Sequence, residues 1–298
     1  MLAAAWMSGT LLSFCLMAIA VRELSGALSV IQTLCVRSAI GLLCVSLIVG
    51  FSGGIRTLHT RRLKLHVFRN IFHLGGQYGW FLGIGLLPLA EVFALEFSVP
   101  IWTLVIAVLF LGERVTRYKL AALLLGVSGV LVIVQPGLAI VDAASFIVLA
   151  SAICYAVAHS STKSLGGSES PIVILFYMSL IQFAMALIPA QLNWVSPTEE
   201  QWVWMVLIGL TALTAHYCMI RAMRHAEISM IVTLDFLRLP LIALVGVLIY
   251  AEDLELTLLA GGGLMLLANL IALNGQRGSE LGLSLITENP SAAGEQIK

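Results

Sequence analysis

The segment Leu87–Glu113 reads LPLAEVFALEFSVPIWTLVIAVLFLGE, and a second segment, Met223–Glu252, reads MRHAEISMIVTLDFLRLPLIALVGVLIYAE. Each contains Ala-Glu, then an acid inside the apolar run, a proline a few residues later and a closing acid. In chain order these acids and prolines are Glu96, Pro100 and Glu113 in the first segment, and Asp235, Pro240 and Glu252 in the second. The repetition indicates that the chain consists of two related halves.

The composition around these segments is typical of a membrane protein. Of 298 residues, 60% are hydrophobic and 11% are charged, and the mean hydropathy is +1.01. A water-soluble protein of this length covers its surface with more charge than this. The apolar runs have about the twenty residues that a helix needs to cross a hydrocarbon core of roughly 30 Å. We therefore predict an all-α integral membrane protein without a separate soluble domain.

Ten transmembrane helices are predicted, and Pro100, Pro189 and Pro240 are expected to kink their helices without ending them. No basic stretch precedes the first helix, so we expect a retained span and not a cleaved signal peptide. The predicted spans are approximately 3–21, 29–50, 66–87, 91–111, 119–135, 143–163, 172–192, 202–221, 228–250 and 256–275.

The basic residues are distributed unevenly between the loops. With the N-terminus in the cytoplasm, about thirteen Lys and Arg residues fall on the cytoplasmic side and Arg22 alone falls on the other, while Arg37 and Arg238 lie within spans. The positive-inside rule then places both termini in the cytoplasm. The polar tail, residues 277–298, is expected to be a disordered cytoplasmic segment.

Each predicted half, 1–137 and 138–276, contains five spans. Because five is odd, the second half must cross the membrane in the opposite sense to the first. Such inverted repeats are typical of secondary transporters, in which a site near the midplane opens to alternate sides. The alternative is an ancient duplication that serves structure alone.

The chain resembles the drug/metabolite transporter superfamily, and within it the EamA-type ten-helix branch. Three stretches carry the resemblance: CVRSAIGLL around Arg37, SVPIWTLVIAVLFLGE and LDFLRLPLIALVGVLIYAE. One departure is Ala251 before Glu252, where the family often has Gly, and it concerns helix-end packing. The resemblance implies a central cavity lined by helices one, three, four, six, eight and nine. It also implies substrates such as amino acids, nucleotide-derived cofactors, vitamins or metallophore-like metabolites.

Four ionisable residues lie inside predicted spans. Each raises the free energy of membrane insertion by about 2.5–3.5 kcal/mol, so each is expected to have a structural or functional role. Asp235 and Arg238, three residues apart, form either a self-neutralising pair or a dipolar site for a zwitterion. Glu96 has no obvious local partner and is a candidate to bind a cationic group or carry a proton. Arg37, which the resemblance places outside the cavity, is expected to form a structural ion pair with a buried acid.

The third span has a polar stripe, since Arg69, His73, Gln77 and Trp80 fall on one helix face. The stripe should face the bundle interior, with Gln77 near the midplane as the main candidate for a substrate hydrogen bond. Arg69 is expected to reach the lipid headgroups instead. Further candidate substrate-binding residues are Trp102, Tyr155, His159 and Thr214, although plain packing is the alternative for a membrane histidine. The glycines of this span, including Gly79 and Gly83, are expected to permit close helix approach.

These features predict a secondary transporter for a small amphoteric, amino-acid-derived metabolite in the bacterial inner membrane. The resemblance to the family favours export, and the alternative is an uptake permease for a cofactor such as S-adenosylmethionine or riboflavin. An intramembrane lipid-modifying enzyme is an alternative of another class, but the sequence has none of the usual catalytic motifs. We expect no catalytic residues, bound cofactor, metal or nucleic acid. The expected partners are the substrate, membrane lipids and a proton as candidate coupling ion, in a monomer or homodimer.

Overall fold

A computed structural model describes residues 2–52, 54, 58–110, 116–135, 143–223, 235, 237–253 and 255–271. Within these ranges the regular structure is helical and contains no strand. The helices are α1 Leu2–Leu24, α2 Val30–Ser52, α3 Leu63–Leu86, α4 Leu89–Glu96, α5 Val99–Phe110, α6 Arg117–Val134, α7 Ala143–Gly166, α8 Pro171–Leu192, α9 Glu199–Met223, α10 Arg238–Tyr250 and α11 Leu256–Ile271.

Five of the described helices are long and apolar enough to cross a membrane: Ala5–Leu24, Val30–Phe51, Ala143–Gly166, Pro171–Leu192 and Glu199–Met219. Shorter apolar helices cover Leu120–Val134, Arg238–Tyr250 and Leu256–Ile271. Large apolar side chains such as Leu47, Leu131 and Leu248 are exposed on them, as is expected of a surface that contacts lipid. The chain is thus a multi-pass membrane protein, while the count of ten spans and the orientation of the termini stay predictions.

The fourth predicted span, 91–111, is not one kinked helix, and this part of the prediction is wrong. It forms α4 and α5, which are separated at Phe97 and Ser98. The Ser98 hydroxyl donates to the carbonyl oxygen of Leu95 at 2.6 Å. Pro100, two residues further on, has no N–H to donate to Glu96 and its ring clashes with a continuing helix. Of the predicted ninth span, 228–250, the described helix covers Arg238–Tyr250, and residues 228–234 and 236 lie outside the described ranges.

The described helices pack as three antiparallel pairs, α1 with α9, α3 with α7 and α2 with α8. In the first pair the rings of Trp6 and Tyr217 are in contact, and further along Ser13 Oγ lies 3.0 Å from Thr214 Oγ1. In the second, Arg62 donates to the carbonyl oxygen of Ser164 near one end. At the other end Gly83 lies so close to Val148 that no Cβ would fit, as the sequence predicted for the glycines of this span.

Short α4 lies at the centre of the largest apolar cluster. Its residues Leu89, Val92, Phe93 and Leu95 have no solvent exposure, and it packs against α7 and α10. Because α4 ends at Glu96, the break after it leaves this carboxylate in the middle of the bundle.

Candidate functional site

The polar stripe of α3 faces the protein interior, as predicted. Arg69, His73, Gln77 and Trp80 are each at most 4% exposed. The expectation that Arg69 reaches the headgroups is wrong. Its Nε donates to Thr162 Oγ1 at 3.0 Å and its Nη1 to Asn70 Oδ1 at 2.8 Å. The close packing of α3 on α7 holds the guanidinium against these acceptors and away from the lipid.

Gln182 of α8 connects the stripe to its neighbours. Its Nε2 donates to His73 Nδ1 at 2.7 Å and to Asn70 Oδ1 at 3.2 Å, and its Oε1 accepts from Arg37 Nη1 at 3.3 Å. We call Arg37, Arg69, Asn70, His73, Gln77 and Gln182 the amide network. Neither Asn70 nor Gln182 was predicted as a site residue from the sequence; a glutamine in the middle of the apolar run of α8 was the available signal.

Gln77 completes the amide network. In the amide orientation that satisfies both ends, its Nε2 donates to Gln182 Oε1 at 2.9 Å, and its Oε1 accepts from Arg37 Nη1 at 3.0 Å and Nη2 at 2.8 Å. The predicted structural ion pair of Arg37 is therefore not observed among the described residues, where its guanidinium bonds neutral amides. The physical reason is that α8 and α3 present glutamines to this face of α2, and no carboxylate.

A second polar group joins the ends of α4 and α10. Arg238 Nη2 lies 3.0 Å from Asp235 Oδ2 and 3.4 Å from Glu96 Oε1. Trp80 Nε1 donates to Glu96 Oε2 at 2.9 Å. We call Glu96, Asp235 and Arg238 the charged triad. Glu96, which has no local partner in the sequence, thus obtains its partners from α3 and α10.

Aromatic rings enclose the cation of the charged triad. The Arg238 guanidinium carbon lies 4.8 Å from the ring centre of Phe14 and 5.2 Å from those of Phe93 and Phe97. Such contacts stabilise a cation through the ring quadrupole. This aromatic shell was not predicted from the sequence, because its members come from α1, α4 and the turn that follows α4.

Aromatic rings of α7 and α9 pack around His73 of the amide network. The His73 ring centre is 5.7 Å from that of Tyr155 and 5.8 Å from that of His216, and His159 stacks on Tyr155 at 6.0 Å. His159 itself is exposed on α7.

The remaining predicted site residues, Trp102 and Thr214, form other contacts. Trp102 is half-buried and donates from Nε1 to Ser98 Oγ at 3.1 Å. Thr214 lies on the exposed side of α9, where its hydroxyl is within 3.0 Å of the Leu210 carbonyl oxygen and of Ser13 Oγ. No described hydrogen bond joins it to the amide network or the charged triad. Glu113, the first closing acid, lies outside the described residues.

The second closing acid, Glu252, takes part in a separate ion pair. Its Oε1 lies 2.8 Å from Arg22 Nη2, and its Oε2 accepts from the Leu89 backbone N–H at 2.8 Å. Arg22 also donates to the Leu87 carbonyl oxygen at 2.6 Å. The end of α1, the turn before α4 and the segment after α10 are therefore tied together.

Comparison with known proteins places this arrangement in a family context. The model of the EamA-like transporter family matches residues 1–135 and 143–274. An S-adenosylmethionine uptake transporter of Rickettsia bellii is 24% identical over 225 residues, 75% of this chain and 77% of that protein. A pseudopaline exporter of Pseudomonas aeruginosa is 28% identical over 261 residues, 86% of this chain and 90% of that protein. A crystal structure with 19% identity and a TM-score of 0.65 covers 92% of this chain and 98% of its own, and shares the fold.

Proposed function

The chain belongs to the EamA-like transporter family, and we propose that it is a secondary transporter that moves a small amphoteric, amino-acid-derived metabolite by alternating access. The charged triad carries this proposal. Two carboxylates share one guanidinium, so one negative charge within the charged triad is uncompensated by the triad itself, and Asp235 Oδ1 has no hydrogen-bond partner among the described residues. An ammonium group of a substrate would supply the missing positive charge.

The triad also fits a rocking mechanism. Glu96 belongs to the first predicted half, whereas Asp235 and Arg238 belong to the second. A motion of one half against the other would lengthen the 3.4 Å contact between Glu96 and Arg238, and a substrate that compensates Glu96 would make that motion less costly. Gln77 of the amide network and Trp80, which donates to Glu96, are the accompanying substrate contacts in this proposal.

The helix pairs support two inverted halves, 1–137 and 138–276. In this arrangement α1, α2 and α3 of the first half correspond to α7, α8 and α9 of the second. Exchange of the two halves therefore converts the α1–α9 pair into the α7–α3 pair, and it converts the α2–α8 pair into itself. The family model also matches twice, once in each half. We accordingly propose ten spans with both termini in the cytoplasm, on the basis of the positive-inside rule. The bacterial sources of the relatives support the inner membrane as the location.

Direction is part of the proposal, and we favour export. The alternative is uptake of a cofactor such as S-adenosylmethionine or riboflavin. The names of the two relatives include one uptake transporter and one exporter, so the comparisons support transport without favouring a direction. An intramembrane lipid-modifying enzyme is the alternative of another class, and turnover of a lipid by the purified protein in detergent would support it.

Two measurements test the proposed function. The first compares metabolite profiles of cells and medium between a strain with the gene deleted and a strain that overexpresses it. The amount of an amphoteric compound in the medium should change in opposite directions in the two strains, and a rise on overexpression indicates export. Flux of that compound in sealed proteoliposomes should then require the protein and a concentration gradient. A compound that is chemically altered without crossing the membrane would contradict a transporter and favour the enzyme.

A further inference from the structure

Two buried arginines share the amide network. Arg37 on α2 is 4% exposed and Arg69 on α3 is 3% exposed. Their described hydrogen bonds go to side-chain amides and one hydroxyl. Among the described residues, neither guanidinium forms an ion pair with a carboxylate. Arg37 Nε has no partner there at all.

Such a pair of cations needs an explanation. Charge repulsion is strong where the dielectric constant is low, and taking each guanidinium out of water carries a desolvation cost. Amide oxygens satisfy N–H groups but bring no net negative charge to offset these costs. The arrangement is therefore incomplete as a purely structural one, and a bound anion would complete it.

Gln77 occupies the place that an anion would take. Its Oε1 accepts from both Nη1 and Nη2 of Arg37, at 3.0 Å and 2.8 Å. These outer N–H groups form the fork that binds carboxylates and phosphates. The neutral amide thus stands where a carboxylate oxygen would bind.

The amide network is near the charged triad. Gln77, which accepts from Arg37, and Trp80, which donates to Glu96, are three residues apart on one face of α3. One small molecule beside this face of α3 could therefore reach both groups. Across the two groups the described residues comprise three arginines and two acids, an excess of one positive charge.

We propose that Arg37 and Arg69 receive a carboxylate or similar oxyanion of the transported molecule, while Glu96 and Asp235 receive its cationic nitrogen. This assignment rests on the proposed transport function and narrows its substrate class. The excess positive charge favours acidic amphoteric compounds, which carry an amine and more than one anionic group. Arg238 does not serve as the anion receptor, because two carboxylates and three aromatic rings already surround it.

The test uses proteoliposomes containing the full chain and loaded with three classes of probe. L-glutamate and iminodiacetate are acidic amphoteric, L-glutamine and glycine are net neutral, and L-lysine and cadaverine are cationic. Mass spectrometry of the external medium should show protein-dependent release of the acidic class. Arg37→Gln and Arg69→Gln should each slow that release about tenfold or more, because a charge-assisted hydrogen bond is lost.

The outcomes separate the two proposals. Release of neutral or cationic probes alone, or release of the acidic class that is unaffected by both arginine substitutions, would overturn the anion site and leave a transporter. Release of no probe would count against the amphoteric transporter and the anion site together.

A second variant guards against misfolding as the explanation. Gln77→Glu places a carboxylate on the Arg37 fork, so it should block release of the acidic probes while raising the melting temperature by about 2–4 °C. Gln77→Met should show no such rise. A lower melting temperature for Gln77→Glu would mean that the two arginines do not form an anion site.

Discussion

Arg22 at the end of α1 and Glu252 beyond α10 form a 2.8 Å ion pair between residues 230 positions apart. Arg22 was the single basic residue that the charge count placed on the outer side, and Glu252 is the closing acid of the second half. The pair also bonds the backbone on both sides of Pro88 through Leu87 and Leu89. In the proposed orientation it closes the outer end of the bundle beside α4.

Glu252→Ala should lower stability more than Glu252→Gln does. The glutamine can still accept from the Leu89 N–H, whereas the alanine loses this bond and the ion pair, at a cost of about 2 kcal/mol. Thermal unfolding of the purified protein measures both. In a double-mutant cycle with Arg22→Gln, a coupling energy near zero would mean that the two side chains do not stabilise each other.

Glu96→Gln and Asp235→Asn should each abolish flux while leaving the protein folded. Both keep the shape of the side chain and remove the charge that the proposed ammonium site needs. Flux in proteoliposomes and the melting temperature are the measurements. Glu199→Gln, which changes an exposed acid at the start of α9, is the control and should transport normally. Unchanged flux in both Glu96→Gln and Asp235→Asn would refute the role of the triad.

Trp80→Phe should weaken transport with little effect on folding. The change removes the Nε1 donor to Glu96 but keeps an aromatic ring against Phe81 and Phe93. Loss of a hydrogen bond to a charged group corresponds to about 1.5–3 kcal/mol, or roughly tenfold or more in the concentration for half-maximal flux. Trp202→Phe, at an exposed position, is the matched control. Equal effects of the two substitutions would argue against a specific bond to Glu96.

Gly129→Ala should destabilise the contact between α6 and α11. A Cβ on Gly129 would lie 2.8 Å from the Gly261 carbonyl oxygen, so the helices would have to separate, at about 1–3 kcal/mol. Gly263→Ala, also on α11, meets nothing within 4 Å and should be neutral or slightly stabilising. The comparison of their melting temperatures checks the contact, and equal values would show that the two helices do not pack this closely.

The fold class, the family and part of the polar site could be predicted from the sequence alone. Long apolar runs, few charges and the repeated acid–proline segments predicted a helical membrane protein of a transporter family, and helical periodicity predicted that the stripe from His73 to Trp80 faces inward. These features are local or compositional, so they do not require knowledge of which helices are neighbours. The i, i+3 spacing of Asp235 and Arg238 is a local feature of the same kind, and it predicted that the two side chains face the same way; they lie 3.0 Å apart.

Only the tertiary structure decided which side chains meet. It brought Glu96 to Trp80 and Arg238, turned Arg69 inward to Thr162, and gave Arg37 glutamine partners where an acid was expected. Each of these contacts joins different helices, and their sequence spacing carries no signal about distance in space. In a membrane the free-energy cost of burying a polar side chain is small or large depending on whether lipid, water or a partner surrounds it. The sequence by itself therefore determined which residues need a partner, and helix packing determined which partner each one has.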